Sequence, residues 1–294
     1  MTDIHSKSDI EQISLDLLKQ SKAIDQFPTP VDLIVQCSDL VIAHEVDLAH
    51  VEDSFFKKTT SKTLNILEKV RGFLDRREKT IYLDLSQSTN RKNFVKLHET
   101  GHGILPWQRE IMEFMDDDST LDPLTDEEFE AEANFFASST LFQLDRFDSQ
   151  IANLPLGLET VKHLSQKFGA SIHATFRRYV ERSNKRCALL VLKNASTNGL
   201  FQKCELRNYF QSKSFSESFG TLTWEKELDD TFKFVQEYCN GRRYHLDGQI
   251  TLSTYDGNSD FKYHFFNSTY NAFIFLFPKG EKIKSRTKFV ITNT

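Results

Sequence analysis

Glycine and proline are scarce in this chain, at 11 and 6 of 294 residues. That excludes a collagen-like, low-complexity or disordered polypeptide. Cysteine is scarce too. Cys37, Cys187, Cys204 and Cys239 are scattered, with no C-x-x-C pair. Such spacing argues against a disulfide framework and against a cysteine zinc knuckle, and reads as reduced thiols. No apolar run reaches the length of about 18 residues that a membrane-spanning helix needs. The first residues, Met1-Thr-Asp-Ile-His-Ser-Lys-Ser-Asp9, lack the apolar core of a secretory signal. A cytoplasmic protein with no membrane contact is therefore expected. Positive charge is not in excess: the formal net charge is −5, which weighs against direct binding to nucleic acid.

Hydrophobic residues make up 39% of the chain and include 26 phenylalanines, enough for a substantial core. The length suits one large domain or two ordinary ones. Periodicity predicts helices over residues 9–24 and 31–37, a strand-like piece at Leu40-Val-Ile-Ala43, and a hairpin over 73–85 with its polar turn at 75–79. The stretch 62–72 reads either as a basic helix or as the start of a strand. Further helices are expected at 126–141, 158–168 and 171–182. After residue 184 the pattern becomes strand-rich. It opens with the apolar run Cys187-Ala-Leu-Leu-Val-Leu192, carries one helix near 228–238, and ends with strands at 249–255, 263–266 and 271–277. The fold class expected is α+β: a helical domain with a small sheet over residues 1–185, then a strand-rich α/β domain over 186–294.

One segment carries chemistry. Phe94-Val-Lys-Leu-His-Glu-Thr-Gly-His102 contains His98-Glu99-x-x-His102. Residues four apart share one face of a helix, so both imidazoles can reach one metal ion, with Glu99 beside it to take a proton from bound water. An isolated match arises by chance, so its surroundings decide. Residues 91–102 contain no proline, Asn90 or Thr89 can cap the start, Phe94, Val95 and Leu97 supply an apolar side, and Gly103 and Pro106 close the end.

A catalytic zinc needs a third protein ligand and an open fourth position. The helix over 126–141 is the best source. Thr125 and Glu128 have capping-box spacing at its start. Glu130 shares a face with Ala133, Asn134 and Ala137, and that small-sided face, like Gly101 on the other helix, permits close approach. Asn134, one turn further on, is placed to hydrogen-bond a ligand. Glu127 is the runner-up to Glu130. Glu132 points to a different face, with Phe135 and Phe136.

Taken together, His98-Glu-Thr-Gly-His102 and, 28 positions later, Glu130-Ala-Glu-Ala-Asn134-Phe-Phe-Ala137 resemble the H-E-x-G-H and E-x-x-A-N-x-F-A motifs of the ImmA/IrrE metallo-endopeptidases. Residues 74–84 are similar to the hairpin that precedes their metal helix. Phe168-Gly-Ala-Ser171 with Arg177-Arg178 is similar to their closing helical pair. The resemblance spans about residues 30–183 and implies a zincin-like domain. It also implies one zinc ion on His98, His102 and Glu130, with Glu99 as general base. The family's Leu-Leu-x-Pro is replaced by Ser139-Thr-Leu-Phe-Gln-Leu144, a departure that touches the end of that helix and not the ligands. Family members cut a partner regulator, often a helix-turn-helix repressor. Some carry a C-terminal GAF-like sensory domain, which makes residues 186–294 a candidate for sensing a small-molecule or protein trigger.

The chemistry expected is hydrolysis of a peptide bond, with Arg177, Arg178 and Tyr82 as candidate donors to the oxyanion. The strand over 80–85 is expected to form a sheet edge to which an extended substrate adds. Two other functions compete with this one. A DNA-binding regulator would use 158–182 as helix, glycine turn and helix, with Arg177, Arg178 and Arg182 on the second helix. A ligand-sensing regulator would hold a zinc site that does no proteolysis, a reading that the intact Glu99 argues against.

Overall fold

The computed structural model describes residues 7–47, 72–114, 123–199 and 201–281. They divide by contact into two compact units. The first holds the described residues up to Phe147 together with Ser165–Ser171, and the second holds Asp148–Leu164 and the described residues from Ile172 onward. The composition of the chain changes near residue 185, whereas by contact the helical residues 148–164 and 172–182 already group with the strands that follow.

The first unit contains α1 (Lys7–Gln20), α2 (Val31–Cys37), β1 (Val41–Asp47), β2 (Gly72–Asp75), β3 (Thr80–Leu83), α3 (Thr89–Ile104), α4 (Pro106–Phe114) and α5 (Pro123–Leu141). α3 and α5 pack along each other, and α1 covers α5 with Ile10, Leu17 and Leu18. Behind them Phe27, Phe142, Phe147 and Phe168 form one cluster, in which the Phe27–Phe168 and Phe142–Phe147 pairs meet edge to face, an arrangement that adds to plain burial because ring edges and faces carry opposite partial charge.

The hairpin is present. β2 pairs antiparallel with β3, Leu74 opposite Ile81, and Lys79 adopts a left-handed φ of 50° in its turn. β1 pairs parallel with the other side of β3, so the order is β1-β3-β2. This corrects the expected edge: β3 is the central strand, and its second side is taken by the strand expected near residues 40–43, in a pairing that no local signal announces.

Three local expectations also change. α3 begins at Thr89 with Ser88 at the cap position, so neither Thr89 nor Asn90 caps it; the Asn90 amide instead donates to the Ala170 carbonyl at 2.9 Å. α5 begins at Pro123, which puts Thr125 inside the first turn and removes the capping box. Pro106 does more than end α3. It occupies the first position of α4, where its missing N–H costs nothing. The expectation for 62–72 lies outside the described residues except at Gly72, which opens β2.

α6 (Asp145–Asn153) and α7 (Leu158–Phe168) carry the chain between the units. The second unit continues with α8 (Ile172–Arg182), β4 (Ala188–Asn198), β5 (Phe201–Gln211), α9 (Lys213–Phe219), β6 (Glu227–Asp229), α10 (Lys233–Cys239), β7 (Tyr244–Thr254), β8 (Gly257–Asn267) and β9 (Ala272–Pro278). Its six strands form one antiparallel sheet in the order β6-β5-β4-β9-β8-β7. β9 is buried at every position because both of its faces are covered. Ile274 and Leu276 join Phe215 of α9 and Phe234 of α10 in one cluster, while Phe273 and Phe275 meet Phe176 and Tyr179 of α8. A strand buried on both sides loses the alternation that marks a half-exposed one. The fold is α+β, helical first and strand-rich after. All four cysteines are free, and among the described residues no helix is long and apolar enough to cross a membrane.

Candidate metal centre

α3 carries His98 and His102 on one face, one turn apart. Their Nε2 atoms approach to 3.1 Å. α5 crosses close by because nothing large stands between the two helices: a Cβ built on Gly101 would meet the Ala133 Cα at 3.3 Å and the Phe136 ring at 3.1 Å. That approach brings the Glu130 carboxylate to 3.4 Å from His98 Nε2 and 3.2 Å from His102 Nε2. Three donors thus converge at separations of 3.1, 3.2 and 3.4 Å. A tetrahedral ion with bonds of about 2.0–2.1 Å needs ligand atoms roughly 3.3 Å apart. The residues therefore fit a small divalent ion in size and in chemistry, two neutral imidazoles and one carboxylate. The imidazoles are largely buried, and the Glu130 side chain, 48% exposed, opens the cluster to solvent.

The charges are coupled. Burial alone would raise the Glu130 carboxyl, but the hydrogen bonds with His102 and His98 hold it well below the usual carboxylate range. Burial would lower His98, and its pairing with Glu130 and the charge of Glu99 outweigh that, so its pKa is raised. Glu99 is 5% exposed. Burial pushes its carboxyl up, against the pull of His98, His102 and Arg76. β2 packs against it: a Cβ on Gly72 would stand 3.4 Å from Glu99 Oε1 and collide with the Val95 side chain at 2.2 Å. Arg76, in the hairpin turn, donates to the His102 carbonyl at 2.7 Å, where a cation also meets the negative end of the α3 dipole.

The other residues named from the sequence fall as follows. Asn134 donates to the Glu130 carbonyl at 2.7 Å and lies near enough to His98 to favour its charged form. His98 Nδ1 nevertheless has no well-formed hydrogen bond among the described residues. Tyr82 lies in the same unit as the cluster and stacks on Phe73 across the hairpin. Arg177 and Arg178 lie in the second unit. Arg177 pairs with Glu181 at 2.7 Å and covers the Phe210 ring, and Arg178 is buried.

Two residues were missed. Gln108 of α4 is fully buried and its Oε1 lies 2.9 Å from His102 Nδ1. Glu132 of α5, which helical phase alone sets away from Glu130, accepts from Gln108 Nε2 at 2.8 Å and from Trp107 Nε1 at 2.6 Å. A buried-face glutamate beside two phenylalanines is itself a signal of a partner, since an unpaired buried carboxylate is costly.

A helix bearing two histidines and a buried glutamate, crossed by a helix that supplies a carboxylate, makes a group that could hold a metal ion. Residues 56–179 match the family model described as the IrrE N-terminal-like domain, and all of the cluster lies within the matched residues. No curated protein sequence matches the chain. A solved structure, a Mycobacterium tuberculosis transcriptional regulator, is similar in fold over 97% of this chain and 94% of its own, with a TM-score of 0.53 and 10% identity.

Proposed function

We propose that the protein is a zinc-dependent endopeptidase that cuts a partner regulatory protein. The observation that carries this reading is the convergence of His98, His102 and Glu130 beside a buried Glu99. His98 and His102 would hold the ion through Nε2 and Glu130 through its carboxylate. When bound, the ion supplies a Lewis acid that polarises a peptide carbonyl and brings the pKa of a water molecule to about 7.

The remaining chemistry belongs to the chain. Glu99 takes the proton of the attacking water and passes it to the leaving amine. Burial raises its pKa, the direction that suits a group which must accept a proton and then release it. Arg76 fixes the end of α3 through the His102 carbonyl. Among the described residues β2 has a strand partner on one side only, and it lies against Glu99. An extended substrate would pair with β2, taking the part first expected of β3. Of the three candidate oxyanion donors, Tyr82 shares the unit of the cluster and is the one we retain.

A partner regulator as substrate is supported by the family resemblance, with a helix-turn-helix repressor as the first to try. The similarly folded transcriptional regulator is compatible with that setting. A direct DNA-binding role is less well supported, since Arg177 and Arg182 are engaged by Glu181 and Asp148. We assign residues 186–294 a sensory or interaction role and the whole protein to the cytoplasm.

The test pairs wild type with Glu99→Gln. Zinc-loaded wild type should cleave its partner helix-turn-helix repressor. Glu99→Gln should retain its zinc and lose at least about 100-fold in rate, the lower end of what a general base contributes. Equal cleavage by both proteins would refute the assignment of Glu99.

A further inference from the structure

The two histidines of the cluster are held differently. Gln108 is fully buried, and both hydrogens of its amide nitrogen are engaged, one by the Phe129 carbonyl at 3.1 Å and one by Glu132 Oε2 at 2.8 Å. Trp107 Nε1 donates to that same Glu132 oxygen. Turning the Gln108 amide over would set its oxygen against two acceptors with no hydrogen between them, in a fully buried place. The orientation is therefore determined, and it leaves Gln108 Oε1 facing His102 Nδ1 at 2.9 Å. An oxygen that can only accept requires Nδ1 to carry the proton. His102 Nε2 is then the bare nitrogen, and it is the atom that faces His98 and Glu130.

We propose that Glu132, acting through Gln108, is a positioning residue that locks His102 in the tautomer presenting Nε2 to the metal ion. The proposal rests on the metal-centre reading above. Its physical basis is that a ligand already in the right tautomer and rotamer has less freedom to lose on binding, which is why partners on the far nitrogen of a histidine ligand change metal affinity. His98 Nδ1, by contrast, is buried and makes no well-formed hydrogen bond among the described residues. The relay also explains why α4 follows α3 after a single residue. Leu105 alone separates them, so Trp107 and Gln108 are delivered back against α5 within one turn.

Two measurements test it. Zinc affinity, read by competition with a chromophoric chelator, should fall roughly 10- to 100-fold in Gln108→Leu. In zinc-free wild type at a pH above the histidine range, nitrogen-15 imidazole spectra should show His102 as the Nδ1–H tautomer, and a mixture of tautomers in Gln108→Leu. The second measurement needs only wild type, so it stands even if the variant folds poorly. Unchanged affinity in a folded Gln108→Leu, or His102 found with its proton on Nε2, would overturn the relay while leaving the ligands in place. If wild type takes up no zinc at all, the metal-centre reading fails instead, and the tautomer spectrum still judges the relay.

Discussion

Each of the two units sets a glutamate beside a histidine, and the two arrangements have opposite meanings. In the second unit Glu237 of α10, 6% exposed, accepts from His245 and Arg242 on one oxygen and from Tyr263 on the other. Donors surround the carboxylate, and the group is complete as it stands. In the first unit Glu130, His98 and His102 point ligand atoms at one another, and donors do not fill the space between them. A saturated buried carboxylate is a structural feature, whereas convergent lone pairs ask for a cation. Residue type does not separate the cases; the direction in which the atoms face does.

The largest effect expected in this comparison is loss of cleavage in Glu99→Gln with zinc retained. Next comes Glu237→Ala. Removing this carboxylate leaves the buried Tyr263 hydroxyl and the largely buried His245 ring without their partner, which should cost about 1–3 kcal/mol for each of the two. Denaturant unfolding followed beside zinc stoichiometry checks it. Stability should fall and stoichiometry hold, and a loss of zinc would break the distinction drawn here. A smaller loss is expected from Gly248→Ala. A Cβ there would stand 2.2 Å from the Tyr263 ring, which is itself fully buried, so overpacking of about 1–3 kcal/mol should appear in the same unfolding curves.

The gentlest probe is acid. Burial lowers the pKa of His264 below its ordinary value, although Asp247 opposes the shift. Its Nδ1 accepts from the Leu158 N–H at the start of α7, a bond that needs the neutral ring. A base with a lowered folded pKa contributes stability that is complete above the unfolded value of about 6.5 and declines as pH falls below it. Melting temperature should drop between pH 7 and pH 5 in wild type. It should drop less in His264→Gln, and an equal drop in both would remove His264 from the account.

Much of the metal centre was legible because it depends on helical phase. His98 and His102 share a face by spacing alone, and Gly101 and Ala133 announced a close crossing that the structure contains. Glu130 followed from that crossing. What was illegible depends on where separate elements meet. Gln108 sits on a helix concealed by Pro106, which reads as a stop and is also a start. Glu132 seemed to point away from the centre because phase on α5 says nothing of α4 packing there. The same limit applies to the sheets. The hairpin is local and was visible, whereas the parallel pairing of β1 with β3 and the order β6-β5-β4-β9-β8-β7 join residues far apart in the chain. In β9, burial on both faces erased the alternation that would have shown which side carries the core.

The central claim is that His98, His102 and Glu130 form one metal site. Metal analysis of purified protein, after exhaustive chelation and reloading with zinc, tests it most directly. The account predicts close to one ion per chain in wild type and in Glu99→Gln, and a loss of at least tenfold in affinity in His98→Ala, His102→Ala and Glu130→Ala alike. A full complement of tightly held zinc in any of those three, with the protein folded, would contradict it.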